Sequence, residues 1–338
     1  MKRLSIVIVT PLFFPSVGGN ATTVGRWKVG LERAGHIVRV VDGSRAREEI
    51  RKIAPPPDVI HCYHAYKSGR HLSDLPEIPM VVSLPGTDIA EDVAVPERRE
   101  VVERVLGKAS IVAASNNDMA VEVARRFPAM EGRIRVLPKG VSLPAGSFGL
   151  RQLLGIAPEE LVFLFPAGIR RVKNNHYPLE RLADLASSLP PFRLVYAGPV
   201  LEREYAVEFE ERRKRRPWAH CLGAIPYDRM GGLYAEADIV LNCSLHEGLP
   251  NALLEAMSLG RAVVASDIAG NRAAVENGVD GLLYRDDGEF RKHILSLAGD
   301  AERRKIMGER AREKIRRSFG PERELAALLG IYREAISG

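Results

Sequence analysis

Cysteine is scarce. Cys62, Cys221 and Cys243 are the only three in 338 residues, and they form no CxxC pair or metal-ligand spacing. A disulfide scaffold or small zinc module is thereby excluded, and the thiols read as free and buried in a reducing compartment. Long apolar runs are also missing: none reaches the ~20 residues needed to span a bilayer. Glutamine occurs once, among many arginines and few asparagines, a composition of thermophilic type. An excess of one charge is missing too, with 49 Lys+Arg against 43 Asp+Glu, net +6 and interleaved. The densest basic run, Arg212 to Arg216, reads as a solvated helix end. It has no interleaved aromatics and no recognisable module around it, so nucleic acid is not an expected partner. Peripheral attraction to anionic lipid or to phosphorylated substrates stays open.

The basic start Met1-Lys2-Arg3 before apolar Leu4–Thr10 imitates a signal peptide. No small-residue cleavage site follows; Phe13-Phe14-Pro15 and Gly18-Gly19 do. A buried first strand running into a glycine loop is the better reading, and a cytoplasmic protein, peripheral at most to the inner membrane face, is expected.

The length predicts two domains at roughly 150 residues each. Short apolar runs alternate with amphipathic ones. Leu4–Thr10, Ile37–Val41, Val59–His61, Met80–Ser83, Ile111–Ala114 and Arg133–Leu137 read as strands. Thr23–Ala34, Arg98–Leu106 and Asn117–Phe127 read as helices. Around Pro138–Phe148 the composition loosens and the alternation restarts. Strands are expected at Leu161–Phe165, Arg193–Ala197, Ile239–Asn242 and Ala262–Ala265. Helices are expected at Tyr177–Ser188 and Glu202–Arg213, and from Phe290 through Ile336 with a break near Gly320-Pro321. Strand, helix, strand in succession predicts α/β folding with parallel sheets and right-handed crossovers. Two such halves would present a cleft at the carboxyl ends of their strands.

The most informative stretch runs from Leu241 to Ala256. A strand ends near Asn242, a loop carries Gly248 and Pro250, and a helix is predicted over Asn251–Leu259 with Pro250 in its first turn. The unpaired N–H groups and dipole of such a helix start attract phosphate. Glu247 stands just before the helix and Glu255 inside it. Two carboxylates near a phosphate site make sense as acceptors from hydroxyls, each such bond worth about 1.5–3 kcal/mol. The competing reading makes Glu247 a helix cap and Glu255 half of a surface ion pair.

The run Glu247–Ser266, with its two glutamates eight apart, resembles the signature of retaining GT-B glycosyltransferases of group 1, glycosyltransferase family 4. It stays in register through Gly270, Glu276-Asn277-Gly278 and Gly281-Leu282-Leu283. The resemblance implies GT-B architecture: two Rossmann-like, doubly wound parallel-sheet domains facing across a cleft, with C-terminal helices packing back. The boundaries it suggests are 1–143 for the acceptor side, 144–315 for the nucleotide-sugar donor side, and 316–338 for a helix returning to the first domain. Glu255 would bind the ribose hydroxyls. Glu247 would face the donor sugar and stabilise charge at its anomeric carbon. Leu249, Pro250, Asn251 and Ala252 would present backbone to the diphosphate. Pro166 to Lys173 resembles the family's glycine-arginine-to-lysine clamp, with cations neutralising the leaving diphosphate without a metal. Ile169 stands where the arginine usually does and Lys173 comes one residue early, so Arg170 and Arg171 both remain candidates. Gly223 and Ile225 lie in the segment resembling the one whose backbone meets the base.

In the N-terminal half, Pro15 to Gly19 resembles the family's glycine loop, which puts Gly19 among the donor-binding candidates. Val82 to Asp88 corresponds to a segment where many relatives carry a histidine; here Pro85 occupies that position. Asp88, as a catalytic candidate beside Glu247 and Lys173, and His64 are candidates for acceptor contact. His61 and His246 read as structural. The implied reaction needs no cofactor beyond the nucleotide-sugar substrate, a UDP- or GDP-sugar, and its acceptor is not specified. A nucleotide-sugar epimerase of the same architecture and a non-catalytic nucleotide-sugar binder are the alternatives. A phosphorylase is disfavoured, since no segment matches a pyridoxal lysine.

Overall fold

Strands whose side chains are apolar on both faces must be covered on both faces, and parallel sheets flanked by helices achieve this. The structure, a computed structural model, describes residues 2–11, 19–72, 75, 77–144 and 146–338. It divides into one unit of residues 1–140 plus 321–338 and a second of residues 141–320.

The first unit contains β1 (Ser5–Thr10), α1 (Gly19–Arg33), β2 (Ile37–Asp42), α2 (Gly43–Arg51), β3 (Val59–Tyr63), β4 (Met80–Leu84), α3 (Thr87–Ala90), α4 (Pro96–Lys108), β5 (Ile111–Ala114), α5 (Asn117–Arg126) and β6 (Ile134–Val136). Among the described residues its sheet has six parallel strands in the order β2-β1-β3-β4-β5-β6. One face packs on Val102, Leu106 and Val123 from α4 and α5. The other packs on Val24, Trp27 and Leu31 from α1 and on Leu328 and Tyr332 near the C-terminus.

The second unit continues with α6 (Leu150–Leu154), β7 (Leu161–Phe165), α7 (His176–Leu185), β8 (Phe192–Tyr196), α8 (Arg203–Lys214), β9 (Ala219–Cys221), α9 (Tyr227–Ala235) and β10 (Ile239–Asn242). It ends with α10 (Asn251–Ser258), β11 (Ala262–Ser266), α11 (Ala269–Arg272), β12 (Leu282–Tyr284), α12 (Asp287–Ala298) and α13 (Ala301–Ser318). Its six described strands are also parallel, ordered β12-β11-β10-β7-β8-β9. No described helix is long and apolar enough to cross a membrane.

The chain then returns to the first unit as α14 (Pro321–Ser337). The C-terminal helical stretch breaks at Gly320-Pro321 as expected. It also breaks at Gly299-Asp300, where the Asp300 carboxylate accepts from the Arg303 N–H at 2.8 Å and caps α13. In α14, Glu324 is buried and takes both Nε and Nη2 of Arg26 at 2.7 and 2.8 Å. Tyr332 hydrogen-bonds His61, whose second ring nitrogen meets Ser83 Oγ, both at 2.7 Å. Burial holds that imidazole's pKa down near about 3, so His61 is a neutral core residue.

Helix α13 approaches α10 and β11 through Gly308, where an added Cβ would fall 1.9 Å from the Gly260 carbonyl oxygen. Backbone cannot yield there as a side-chain tip would. Gly308→Ala is therefore expected to lower stability by about 2 kcal/mol, measured as the midpoint of urea unfolding. An unchanged midpoint would show that α13 does not need this approach.

Candidate functional site

In the second unit the strand order reverses between β7 and β10, which lie side by side. Open α/β sheets bind ligands at the carboxyl ends of the strands flanking such a reversal. The loop after β7 carries Gly168 to Lys173, and the loop after β10 carries Cys243 to Pro250. The two are stitched together by the Leu245 N–H, which donates to the Val172 carbonyl at 2.9 Å. At that junction Lys173 Nζ donates to Glu247 Oε1 in an ion pair.

Two further donors converge on the same oxygen: Ser244 Oγ at 2.7 Å and Asn242 Nδ2 at 3.4 Å. Asn242 Oδ1 in turn accepts from the Ser244 N–H at 3.0 Å. Burial opposes the charge on Glu247, but the Lys173 ammonium and the Ser244 and Asn242 hydrogen bonds outweigh it and hold its pKa below the ordinary glutamate value. Glu247 is thus an anion whose Oε1 is fully engaged. Its backbone is fixed as well. Gly270 lies so close that a Cβ there would fall 2.3 Å from the Glu247 carbonyl oxygen. Ser266 Oγ donates to the Ser244 carbonyl at 2.6 Å and is itself held by Asn271 Nδ2 at 3.1 Å.

Helix α10 begins at Asn251, with Pro250 as N-cap rather than inside the first turn. Pro250 itself offers no side-chain cap. Leu253 to Met257 are all buried, so the helix is covered nearly all round. Glu255 sits within that run at 7% exposure, and the Tyr234 hydroxyl donates to its Oε2 at 2.9 Å. Glu255 is therefore a buried carboxylate rather than a surface one.

The two candidate arginines have different surroundings. Arg171 is exposed, its guanidinium 5.5 Å from the ring centre of Tyr205, and its backbone N–H donates to Glu202 Oε2 at 3.0 Å. Arg170 is half-buried, and its Nε has no hydrogen-bond partner among the described residues. The loop beneath them is held by buried Asn175, which accepts from the Arg170 N–H at 3.2 Å and donates to the Gly168 carbonyl at 3.3 Å. Gly198 permits the close approach of the neighbouring loop: a Cβ there would fall 2.3 Å from the Ala167 carbonyl oxygen. Its N–H donates to the Gly223 carbonyl at 2.8 Å. That ties the exposed Gly223, left-handed at φ +69°, and buried Ile225 to the same strand ends.

In the first unit the reversal lies between β1 and β3. The glycine loop Pro15 to Gly18 lies outside the described residues, and Gly19 opens α1. After β3, His64 adopts a left-handed φ of +86°, unusual for a side chain of its size. It is buried, with Nδ1 accepting from the Lys67 N–H at 3.2 Å and Nε2 meeting Thr87 Oγ1 at 3.1 Å. Burial brings its pKa to about 3. Asp88 is wholly buried and accepts from the backbone N–H groups of Ala65 and Gly86 at 3.2 and 3.1 Å. Burial outweighs those bonds and raises its pKa to about 7. In this geometry Asp88 ties the turn after β3 to the turn after β4. Pro85 stands at the end of β4, and His246 is exposed beside Glu247.

Lys173 and Glu247, distant in sequence, are thus brought into contact, with Glu255 on the helix that follows. Sequence reasoning gave no supporting role to Asn242, Ser244, Tyr234 and Asn175, and named Gly270 only as part of the resembling run. Polar residues closing an apolar strand were a usable signal for Asn242 and Ser244; nothing in the sequence links Tyr234 to Glu255.

Two doubly wound parallel α/β units with these loops define the GT-B class. Residues 160–300 match the family model described as "Glycosyl transferases group 1". Along the sequence the chain is similar to "Glycosyltransferase 1 domain-containing protein 1" of Xenopus tropicalis, 28% identical over 90% of this chain and 91% of that protein. It is also similar to the D-inositol 3-phosphate glycosyltransferase of Nocardia farcinica, 27% identical over 78% of this chain and 64% of that one. In fold it is similar to Anabaena HepE, solved in complex with UDP and glucose, with a TM-score of 0.80 at 19% identity over 97% of this chain and 99% of the other. The sucrose-phosphate synthase of Thermosynechococcus elongatus gives a TM-score of 0.82 at 18% identity over 99% and 100%. The matched span lies within the second unit.

The ion pair makes a prediction about stability. A carboxyl whose folded pKa lies below its unfolded value stabilises above the unfolded pKa, and the contribution is lost as pH falls through the folded one. Lys173→Ala is expected to cost about 2 kcal/mol at pH 7, less than a fully buried pair because both side chains keep some solvent. The gap to wild type should close as pH drops below the ordinary glutamate range and Glu247 is protonated in both proteins. Urea unfolding across pH 3–7 measures it, and a gap independent of pH would refute the pairing.

Proposed function

We propose that the chain transfers a glycosyl group from a nucleoside diphosphate sugar to a hydroxyl acceptor, with retention at the anomeric carbon and without a metal ion. The observation that carries this is the meeting of Lys173 and Glu247 at the β7–β10 reversal, beside the start of α10. In this reading the bond between the anomeric carbon and the β-phosphate oxygen breaks, and charge builds on the departing diphosphate. Lys173, Arg170 and the backbone N–H groups at the start of α10 stabilise that charge, the electrostatic work a divalent ion would otherwise do. Arg170 is preferred to Arg171 because its Nε lacks a partner among the described residues, whereas the Arg171 guanidinium lies over the Tyr205 ring.

Glu247, held as an anion, faces the positive charge developing on the sugar. Glu255 accepts from the ribose hydroxyls, and the Gly223–Ile225 segment borders the base. The acceptor oxygen attacks the anomeric carbon, and its proton passes to the departing phosphate oxygen. Proline at position 85 leaves no imidazole there for the task. The same feature motivates a second reading, a nucleotide-sugar binder without transfer; slow hydrolysis of bound donor would count against it. The acceptor side is assigned to the first unit.

A thermal-shift panel with UDP, GDP and ADP in EDTA tests the donor site. One nucleotide at about 100 times its Kd should stabilise by about 2.7 kcal/mol. Glu255→Ala should remove most of the shift, leaving weak binding. Absence of a shift with every nucleotide would reject the donor site.

A further inference from the structure

Tyr234 is wholly buried in α9, packed in the same core as Leu249, Leu253 and Leu254. Packing alone would be served as well by phenylalanine. The hydroxyl instead imposes a demand, since a buried O–H needs an acceptor, and Glu255 Oε2 meets it at 2.9 Å. The demand runs both ways. Glu255 lies in the buried run of α10 at 7% exposure, and a carboxylate so placed is held where its donors aim it. A neutral hydroxyl fixes its orientation without cancelling its charge. Tyr234 reaches Glu255 from a neighbouring helix, so the geometry is set by how α9 packs on α10 rather than by either helix alone.

We propose that Tyr234 is the positioning residue of a ribose subsite: its hydroxyl holds the Glu255 carboxylate so that two adjacent hydroxyls of a nucleotide sugar can donate to it. This rests on the donor-site reading above. It goes further in making discrimination between ribose and deoxyribose a property of a residue that does not itself touch the ligand.

The test is calorimetric titration of wild type, Tyr234→Phe, Glu255→Ala and the double variant. Each is titrated with whichever of UDP, GDP and ADP binds wild type, and with its 2′,3′-dideoxy analogue. Tyr234→Phe is expected to weaken the ribonucleotide about tenfold, the value of one hydrogen bond to a charged group, and to change the dideoxy analogue less than about twofold. In the Glu255→Ala background the phenylalanine is expected to add no further loss. Equal weakening of both nucleotides, the same loss without Glu255, or unchanged affinity would each overturn the assignment and leave Tyr234 a packing residue. Binding of none of the three nucleotides to wild type would overturn the donor-site reading, and this inference with it.

Should the phenylalanine variant not fold, 3-fluorotyrosine placed at position 234 keeps ring and hydroxyl. Its 19F resonance should shift more with the ribonucleotide than with the dideoxy analogue. Equal shifts would overturn the proposal.

Discussion

The second unit is organised around one ion pair. Lys173 and Glu247 are 74 residues apart, and their contact adds a charge pair to loops already joined by the Leu245 N–H on the Val172 carbonyl. Their contact joins the ends of β7 and β10, where the sheet changes winding direction. Removing either charge leaves the other partly buried, a large cost against the marginal stability of any domain. The surrounding donors multiply that dependence. Ser244 and Asn242 aim at the same oxygen as Lys173, so the carboxylate has a single orientation. What the fold gains in definition is what the proposed chemistry needs: an anion and a cation already in place.

Such a junction requires backbones to approach more closely than side chains allow. Gly198 and Gly270 lie at opposite sides of it, and a methyl group at either would meet carbonyl oxygen. Each glycine brings one more strand end into the cluster, Gly198 from beyond β8 and Gly270 from beyond β11. The junction is thus assembled from four loops, and only two of them carry the ion pair.

The sequence was legible where a local pattern decides the outcome. Continuous β-branched runs became central strands, and the glutamates flanking Pro250 fell where the strand-loop-helix pattern put them. Helix ends were less legible. α1 starts at Gly19, ahead of the predicted Thr23, and the cap at Asp300 splits a stretch that reads as one helix up to Gly320. Short strands such as Ala219–Cys221 and Leu282–Tyr284 were also passed over, because three residues carry no period of their own. Least legible were contacts made across the fold. The preference between Arg170 and Arg171 depends on where Tyr205 lies. The partner of Glu255 depends on the packing of α9. Neither leaves a mark in spacing.

The second unit is one continuous segment, residues 141–320, whereas the first is assembled from both sides of it. Helix α14 supplies Leu328 and Tyr332 to the core beneath β1 and β3, and Glu324 to the buried pair with Arg26. During synthesis, therefore, the later segment can be finished while the earlier one is still missing a layer. The half that leaves the ribosome first closes last, with the face that awaits α14 uncovered until about 180 further residues have been added.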